Sequence, residues 1–284
     1  DYMLQKIGTA NNDYPAAGLG TAPSAFMDLI NQVQIWGAYD RTGKNTPDDK
    51  SDDTPAQLSI SAPLTSGDNA NLIPKGDIML GDMFGLYRFE NWFYQLNMSG
   101  KEIRTWLEFS ATKIRVDGEG NPYVTNGDLT YYDVIYGDDF SYQIDYTKPE
   151  GSRVVSVTYK NKEVADDQNF TVVMNIYRFT GGGGYVAYLN EHGCNFVSND
   201  KDENRVIYST QWDMIQGEDE GQARALLASY IREAGEKGIT PEIKSTWSLI
   251  NGKALEGKTV ILHSNDVHGA IDGYAYMAGV KKAY

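Results

Sequence analysis

The sequence has a single cysteine, Cys194, among its 284 residues. One thiol excludes a disulfide within the chain, and it also excludes a zinc site built on clustered cysteines. Histidine is nearly as scarce, because the chain has only three, His192, His263 and His268. A reaction mechanism that needs four or five imidazoles therefore cannot be completed by this chain alone.

Positive charge is scarce as well, since 25 Lys and Arg side chains stand against 39 Asp and Glu, and the formal net charge is −14. A general nucleic-acid-binding protein needs a basic face, so this balance argues against that class. No run of about 18 consecutive apolar residues occurs, and the sequence therefore predicts no membrane span. In contrast, the chain has 20 tyrosines and 41% hydrophobic residues, enough for a packed core in one large domain or two small ones.

Three helices are predicted from their caps and their apolar spacing. Ser24 is a candidate N-cap ahead of apolar residues that recur at three- and four-residue steps as far as Trp36. Ser99 and Glu102 form the Ser-x-x-Glu pattern of a capping box, in which the hydroxyl and the carboxylate each satisfy a free backbone amide. The third predicted helix covers residues 221–236, where apolar residues recur on one side.

Strands are predicted at short apolar stretches that are rich in β-branched and aromatic residues. They cover residues 57–63, 132–135, 142–146, 154–159 and 170–177. Because these hairpin-like pairs are separate from the helices, the predicted fold class is α+β rather than a regular βαβ array. The polar stretch 40–55, which contains five aspartates, is predicted to be an exposed loop.

The chain changes character after residues 251–258, which the sequence predicts to be a linker. Residues 259–262 form a continuous apolar run, typical of a strand buried on both faces, and Asp266 and His268 follow that run. A carboxylate and an imidazole are frequent ligands of Zn, Mn or Fe. On spacing alone, a polar turn without a metal explains the pair better, because Asp-x-His is a short pattern.

Residues 259–269 resemble the opening strand and first metal motif of the calcineurin-like 5′-nucleotidase and cyclic-nucleotide phosphodiesterase family. The resemblance implies that Asp266 and His268 are metal ligands and that a longer parent enzyme uses a divalent metal pair, such as Zn or Mn. The family's other ligands do not follow in residues 270–284, so we expect no complete metal site and no cofactor in this chain. We expect residues 259–284 to be the truncated start of a second metallophosphoesterase domain, with another such domain upstream of Asp1.

A longer resemblance covers most of residues 60–190. It is carried, in the family's order, by residues 78–91, 98–111, 132–137, 142–149 and 175–185. These stretches resemble 5′-nucleotidase C-terminal domains, and in particular the 2′,3′-cyclic-nucleotide 2′-phosphodiesterase/3′-nucleotidase branch. The resemblance implies that residues 1–250 form a nucleoside- and substrate-binding domain. It also implies a mixed sheet with packed helices and an adjacent metallophosphoesterase domain in the same polypeptide.

In that family, two aromatic rings hold the nucleotide base between them. The matching positions are Tyr132 and Tyr185, with Tyr177 as a substitute ring or an adjoining wall. Base stacking contributes about 1–3 kcal/mol per base and suits any base. Within the glycine run 181–184, Gly182 and Gly183 would let the backbone come close to the ligand, where a side chain would collide.

The remaining candidates are polar. Asn91, and with it Arg88 and Arg178, would bond sugar hydroxyls or base edges. Each assignment also has a structural alternative: Tyr132 can pack beneath a sheet, the glycine run can be a hairpin tip, and the two arginines can pair with surface carboxylates. Facing rings at Tyr132 and Tyr185 would favour nucleoside binding, whereas rings packed apart in the core would favour a structural role.

The implied function is hydrolysis, by the parent enzyme, of 2′,3′-cyclic nucleotides and of 3′- or 5′-nucleotides to nucleoside and phosphate. We expect this chain alone to be inactive. Residues 63–71 lack an arginine that many 5′-nucleotidases carry there, which favours the cyclic or 3′-nucleotide branch. The resemblance also implies an extracellular, cell-wall or periplasmic location. The alternative function is a non-catalytic spacer or adhesive module of the same fold on a cell surface.

Overall fold

A computed structural model describes residues 2–38, 55–63, 71–202, 204–213 and 221–255. Most of the predicted polar loop, most of the stretch 63–71 and the whole of 256–284, with Asp266 and His268, lie outside the described residues. The strands are β1 Lys6–Ala10, β2 Tyr14–Pro15, β3 Leu58–Ser61, β4 Asn71–Ile73, β5 Gly76–Met79, β6 Phe93–Ser99, β7 Arg115–Val116, β8 Pro122–Tyr123, β9 Val134–Tyr136, β10 Phe140–Asp145, β11 Val154–Tyr159, β12 Lys162–Glu163, β13 Asn169–Asn175, β14 Val206–Ser209 and β15 Ser248–Ile250. The α-helices are α1 Ala25–Gly37, α2 Met83–Leu86, α3 Gly100–Ala111, α4 Asn126–Leu129, α5 Ile176–Phe179, α6 Tyr185–Glu191 and α7 Ala223–Glu233.

A five-stranded sheet forms the centre of the fold, in the order β14-β6-β13-β3-β9. β6 and β13 pair antiparallel along their full length, whereas β13 and β3 run parallel. Leu58, Leu96 and Val172 on these three strands are fully buried. Strands of this kind need cover on both faces, and helices supply part of it. The carboxyl end of β13 leads directly into α5, the element that carries Tyr177.

A second, four-stranded sheet has the order β12-β11-β10-β15. Its β10 pairs antiparallel with β11 and parallel with β15. Helix α3 packs against β11 of this sheet and also against β9 of the central sheet. The helix therefore joins the two sheets through one shared core, which includes Trp106 and Leu107.

Helix α3 begins as the sequence predicts. The Glu102 N–H donates to Ser99 Oγ at 3.2 Å, and the Ser99 N–H donates to Glu102 Oε2 at 2.8 Å. This reciprocal box satisfies two amides that have no partner within the helix. Ile103, Trp106 and Leu107 are fully buried and form the inward apolar stripe of the helix.

Helix α1 is also confirmed, although it is held differently from the prediction. Ser24 takes the N-cap position with an extended backbone, but its hydroxyl makes no cap hydrogen bond. The helix is instead tied to β3 by side chains: Gln34 Nε2 donates to Ser59 Oγ at 2.8 Å, and Asn31 Oδ1 accepts from Ser59 and Ser61. The buried amides of Gln34 and Asn31 are tolerated on this helix face because each makes a hydrogen bond to the facing strand β3.

The predicted strand 170–177 is too long by two residues. β13 ends at Asn175, whose side-chain oxygen accepts a hydrogen bond from the Arg178 N–H at 2.9 Å. Asparagine is a preferred N-cap, so it ends the strand and starts α5. Tyr177 consequently lies on a short helix rather than on a strand.

The predicted fold class, a mixed α+β arrangement of sheets with packed helices, is confirmed. Within the described ranges, no helix combines the length and the apolar character that a membrane crossing requires. The first part of the predicted linker forms a short 3-10 helix, Gly252–Leu255, and the Gly252 N–H donates to Asp145 Oδ1 at 3.2 Å. The domain boundary near residue 250 stays a prediction.

Candidate functional site

A cavity of about 570 Å³ opens where β13 passes into α5. Four parts of the chain meet there: Ala62 directly after β3, residues 89–91 ahead of β6, residues 130–131 ahead of β9, and residues 175–180 at the end of β13. A cavity of this size suits a small organic molecule. Its walls include Phe89, Asn91, Tyr131, Asn175, Tyr177 and Arg178.

Three aromatic rings on these walls remain open to solvent. Phe89 is 58% exposed, Tyr177 47% and Tyr131 41%. Large apolar side chains are normally withdrawn from water, so three exposed rings around one cavity mark a surface that is available to a ligand. Of these rings, only Tyr177 is among the residues that the sequence predicts for the site.

The glycine run packs against two residues of the cavity wall, Tyr177 and Arg178. A Cβ atom added at Gly182 would lie 2.5 Å from three atoms of the Tyr177 ring, and one added at Gly183 would lie 2.7 Å from Arg178 Nη1. Gly183 also has a φ of 81°, in the left-handed region that favours glycine. The two glycines therefore let Tyr177 and Arg178 come close to the backbone. Neither glycine is among the residues that line the cavity, and a direct approach of their backbone to a ligand stays a prediction.

Arg178 is almost fully buried and is committed to an ion pair. Its Nε lies 2.8 and 2.9 Å from the two carboxylate oxygens of Asp133, and its Nη2 donates to the Thr130 carbonyl at 2.7 Å. Asp133 is fully buried too, and it also accepts from the Trp106 indole at 2.9 Å. Most of the Arg178 donors that were predicted to bond the ligand are thus already used by Asp133 and by the Thr130 carbonyl. The residue fixes the wall that carries Tyr131 and Tyr177.

Tyr185 does not face the cavity, which corrects the predicted sandwich. Its ring is fully buried, stacked on Trp106 with ring centroids 4.5 Å apart and edge-on to Phe109 at 4.7 Å. Its hydroxyl donates to the Tyr131 carbonyl at 2.7 Å and accepts from the Asp133 N–H at 2.9 Å. Burial raises the pKa of the Tyr185 phenol well above its usual value, so the hydroxyl stays protonated.

Tyr132, the other predicted ring of the sandwich, is buried as well. It is only 1% exposed and belongs to the main hydrophobic core. Burial raises the pKa of its phenol. A ring that is withdrawn into the core cannot stack on a ligand without rearranging the protein. In this conformation Tyr132 is therefore a packed core residue, which is the structural alternative that the sequence left open for it.

Asn91 is the predicted polar residue that keeps its place on the cavity wall. Its Oδ1 accepts from the Tyr177 N–H at 3.2 Å, which ties two walls together. Its Nδ2 makes no hydrogen bond to any residue that the structure describes, so a donor remains available there. Asn175, by contrast, has both ends of its amide occupied, because Nδ2 donates to the Tyr87 hydroxyl at 3.2 Å and Oδ1 caps α5.

Arg88 is exposed and is not among the residues that line the cavity, so its contact with a ligand stays a prediction. Its guanidinium carbon lies 5.9 Å from the centroid of the Phe89 ring. Phe89, like Tyr131, is an exposed ring of the cavity wall that the sequence reasoning missed. The available signal was an apolar ring between Arg88 and Glu90, two positions before Asn91, in a stretch with no helical or strand period.

No group of three or more His, Cys, Asp or Glu side chains that could hold a metal ion occurs among the residues placed by the structure. The predicted ligands Asp266 and His268 belong to the part of the chain outside the described ranges. The side chains that line the cavity include aromatic rings, two amides, a carboxylate, a guanidinium and two hydroxyls.

Comparison with known proteins identifies one family. The 5′-nucleotidase, C-terminal domain model matches residues 6–190. The trifunctional nucleotide phosphoesterase protein YfkN of Bacillus subtilis is 25% identical, over 92% of this chain and 17% of the relative. The 2′,3′-cyclic-nucleotide 2′-phosphodiesterase/3′-nucleotidase of Salmonella typhimurium is 30% identical, over 68% of this chain and 30% of the relative. The chain spans less than a third of the length of either relative.

Solved structures agree on the fold. A putative 5′-nucleotidase from Staphylococcus aureus superposes with a TM-score of 0.62 at 22% identity, over 88% of this chain and 41% of that one. The 5′-nucleotidase precursor from Thermus thermophilus gives a TM-score of 0.59 at 20% identity, with the same share of this chain and 40% of the other. At such identities the likeness supports the arrangement of helices and strands.

Proposed function

Because the chain belongs to the 5′-nucleotidase C-terminal domain family, we propose that it is the substrate-binding domain of a longer nucleotide phosphoesterase. The observation that carries the proposal is the cavity at the end of β13, with exposed rings from Phe89 and Tyr177 and a free amide donor from Asn91. Two separate rings and one polar group are what recognition of a flat, partly polar base requires.

Phe89 and Tyr177 take the role that the sequence assigned to Tyr132 and Tyr185. Stacking a base on them would remove both rings from water, which favours binding. Tyr177 is pressed against Gly182, so its ring loses little freedom when a ligand arrives. The Asn91 Nδ2 would donate to an acceptor on the base edge or the sugar, and Tyr131 would form a third side of the cavity.

For the parent enzyme we propose hydrolysis of 2′,3′-cyclic nucleotides and of 3′- or 5′-nucleotides, in line with the names of the relatives and of the family. The phosphate chemistry and a divalent metal pair would belong to an adjacent metallophosphoesterase domain, and this chain alone would be inactive. Asp266 and His268 remain proposed ligands of a following domain. An extracellular, cell-wall or periplasmic location also remains a proposal.

Calorimetric titration of the chain with adenosine and with 3′-AMP tests the binding proposal. Phe89→Ala and Tyr177→Ala are each expected to weaken binding by about 1–3 kcal/mol, because each removes one stacking surface. Tyr123→Ala is the matched control, since Tyr123 is a similarly exposed tyrosine on β8, away from the cavity. The control is expected to leave the affinity within about twofold of the unsubstituted chain.

The spacer or adhesive function makes the opposite prediction. Under it, neither ligand gives saturable heat at millimolar concentration, and the same holds for a chain extended upstream to include a metal domain. Binding that appears only in the extended chain would instead mean that the cavity is completed by its neighbour. Equal losses from Tyr123→Ala and Tyr177→Ala would show that the cavity is not the binding site.

A further inference from the structure

The segment that carries Phe89 and Asn91 is held by one arginine from a distant part of the chain. Arg224, on α7, donates from Nε to the Tyr87 carbonyl at 2.9 Å and from Nη2 to the Arg88 carbonyl at 3.3 Å. Its Nη1 lies 2.7 Å from Glu90 Oε1. A guanidinium group presents several donors in a fixed plane, so one side chain can hold three successive points of a loop.

Backbone contacts at the start of α7 strengthen the same attachment. The Ala223 N–H donates to the Asn91 carbonyl at 2.8 Å, and Gln222 forms an isolated β-bridge with Trp92. The Arg224 side chain is 17% exposed, and its guanidinium carbon lies 4.1 Å from the Phe84 ring centroid. This half-buried, stacked position limits screening by water and favours a single orientation of the guanidinium.

A hydrogen bond connects the held segment to the opposite wall of the cavity. Asn91, at the end of the held segment, accepts a hydrogen bond from the backbone N–H of Tyr177 on the opposite wall. Moving residues 87–91 therefore displaces Phe89 directly and frees the Tyr177 amide. Arg224 itself does not line the cavity and lies outside the residues matched by the family model, 6–190.

We propose that Arg224 is a positioning residue for the ligand site, and this inference rests on the proposed nucleoside-binding function. It acts through the loop 87–91: the three contacts hold Phe89 and Asn91 where a base can meet them. The substitution Arg224→Gln removes the ion pair with Glu90 and most of the hydrogen bonds from the guanidinium to the two backbone carbonyls. Arg224→Lys keeps the charge opposite Glu90 but cannot reach two carbonyls at the same time.

Titration with adenosine separates positioning from general stability. Arg224→Gln is expected to weaken binding on the order of tenfold, with Arg224→Lys in between. In a Phe89→Ala background the same substitution is expected to weaken binding by a smaller factor than in the unsubstituted chain, because only Asn91 is then left to be positioned. Arg115→Gln, at an exposed arginine paired with Asp128 at 3.5 Å, is the matched control and should leave the affinity unchanged. Equal losses in both backgrounds would overturn the proposal.

Amide hydrogen exchange tests the same anchor without a ligand. Arg224→Gln is expected to speed exchange at the Tyr177 and Ala223 amides, while the midpoint of urea unfolding moves little. Unchanged exchange at both amides would overturn the Arg224 proposal, whatever the titrations show. If neither the unsubstituted chain nor the chain extended upstream binds nucleoside and yet exchange responds, Arg224 does anchor the loop and the proposed function fails instead.

Discussion

Asp133→Ala is expected to lower the free energy of unfolding by about 3–5 kcal/mol, because it breaks a buried ion pair beside the cavity. The carboxylate is fully buried and faces Arg178, whose side chain is only 3% exposed. Removing it leaves a buried guanidinium without its counter-ion and also deprives the Trp106 indole of its acceptor. Most domains are stable by only about 5–15 kcal/mol, so a large share of the total would be lost.

Urea unfolding followed by tryptophan fluorescence measures this loss. Asp128→Ala is the control, because Asp128 pairs with Arg115, whose side chain is 55% exposed, at 3.5 Å. An exposed pair contributes at most about 1 kcal/mol. If the two substitutions shift the unfolding midpoint equally, then the Arg178–Asp133 pair is not the support of the cavity wall that the geometry indicates.

Tyr185→Ala is expected to destabilise the chain by about 3–5 kcal/mol, as truncation of a buried aromatic residue does. The ring is stacked on Trp106, and its hydroxyl serves the Asp133 amide, the Tyr131 carbonyl and Ser110 Oγ. Its removal leaves a cavity in the core and three polar groups short of a partner. Any weakening of nucleoside binding by this variant would accompany unfolding.

Tyr177→Ala is the contrasting variant. Its ring is 47% exposed and packs mainly on Gly182, so the expected loss of stability is at most about 1 kcal/mol. Thermal unfolding of the two variants, measured by circular dichroism, should therefore separate them clearly. A Tyr185→Ala protein with unchanged stability and lost binding would restore Tyr185 to the ligand site and contradict the present assignment.

Helices with local signals were predictable from the sequence. The capping box at Ser99 and the apolar stripe ending at Leu107 are complete within one stretch of chain, and α3 follows them. β11 covers the predicted residues 154–159, because its β-branched and aromatic residues follow one another within one short stretch. The strand end at Asn175 was missed because an asparagine in an apolar run ends a strand only when it caps the next helix.

The site was only partly predictable, and the reason is physical. Whether a tyrosine is a core residue or a binding residue depends on partners from other segments: the hydroxyl of Tyr185 meets Ser110 and residues 131–133. Nothing near position 185 encodes those contacts. Phe89 was overlooked for the opposite reason, because a single ring in an irregular loop leaves no periodic pattern.

The residues around the cavity fall into a buried set that supports its walls and an exposed set that faces solvent. Arg178, Asp133 and Tyr185 form a closed network that holds the walls in place. Phe89 and Tyr177 lie in front of it and remain open to solvent. Such a division lets the contact rings change between relatives without loss of the fold, since their exposed positions contribute little to stability.

A crystal structure of the chain with bound adenosine tests the central claim most directly. The account predicts the purine between the Phe89 and Tyr177 rings, with the Asn91 Nδ2 about 3 Å from an acceptor on the base or sugar. Tyr132 and Tyr185 should stay buried, as they are without ligand. A base held elsewhere, or one stacked on Tyr132 or Tyr185 after a rearrangement of the core, would contradict the account.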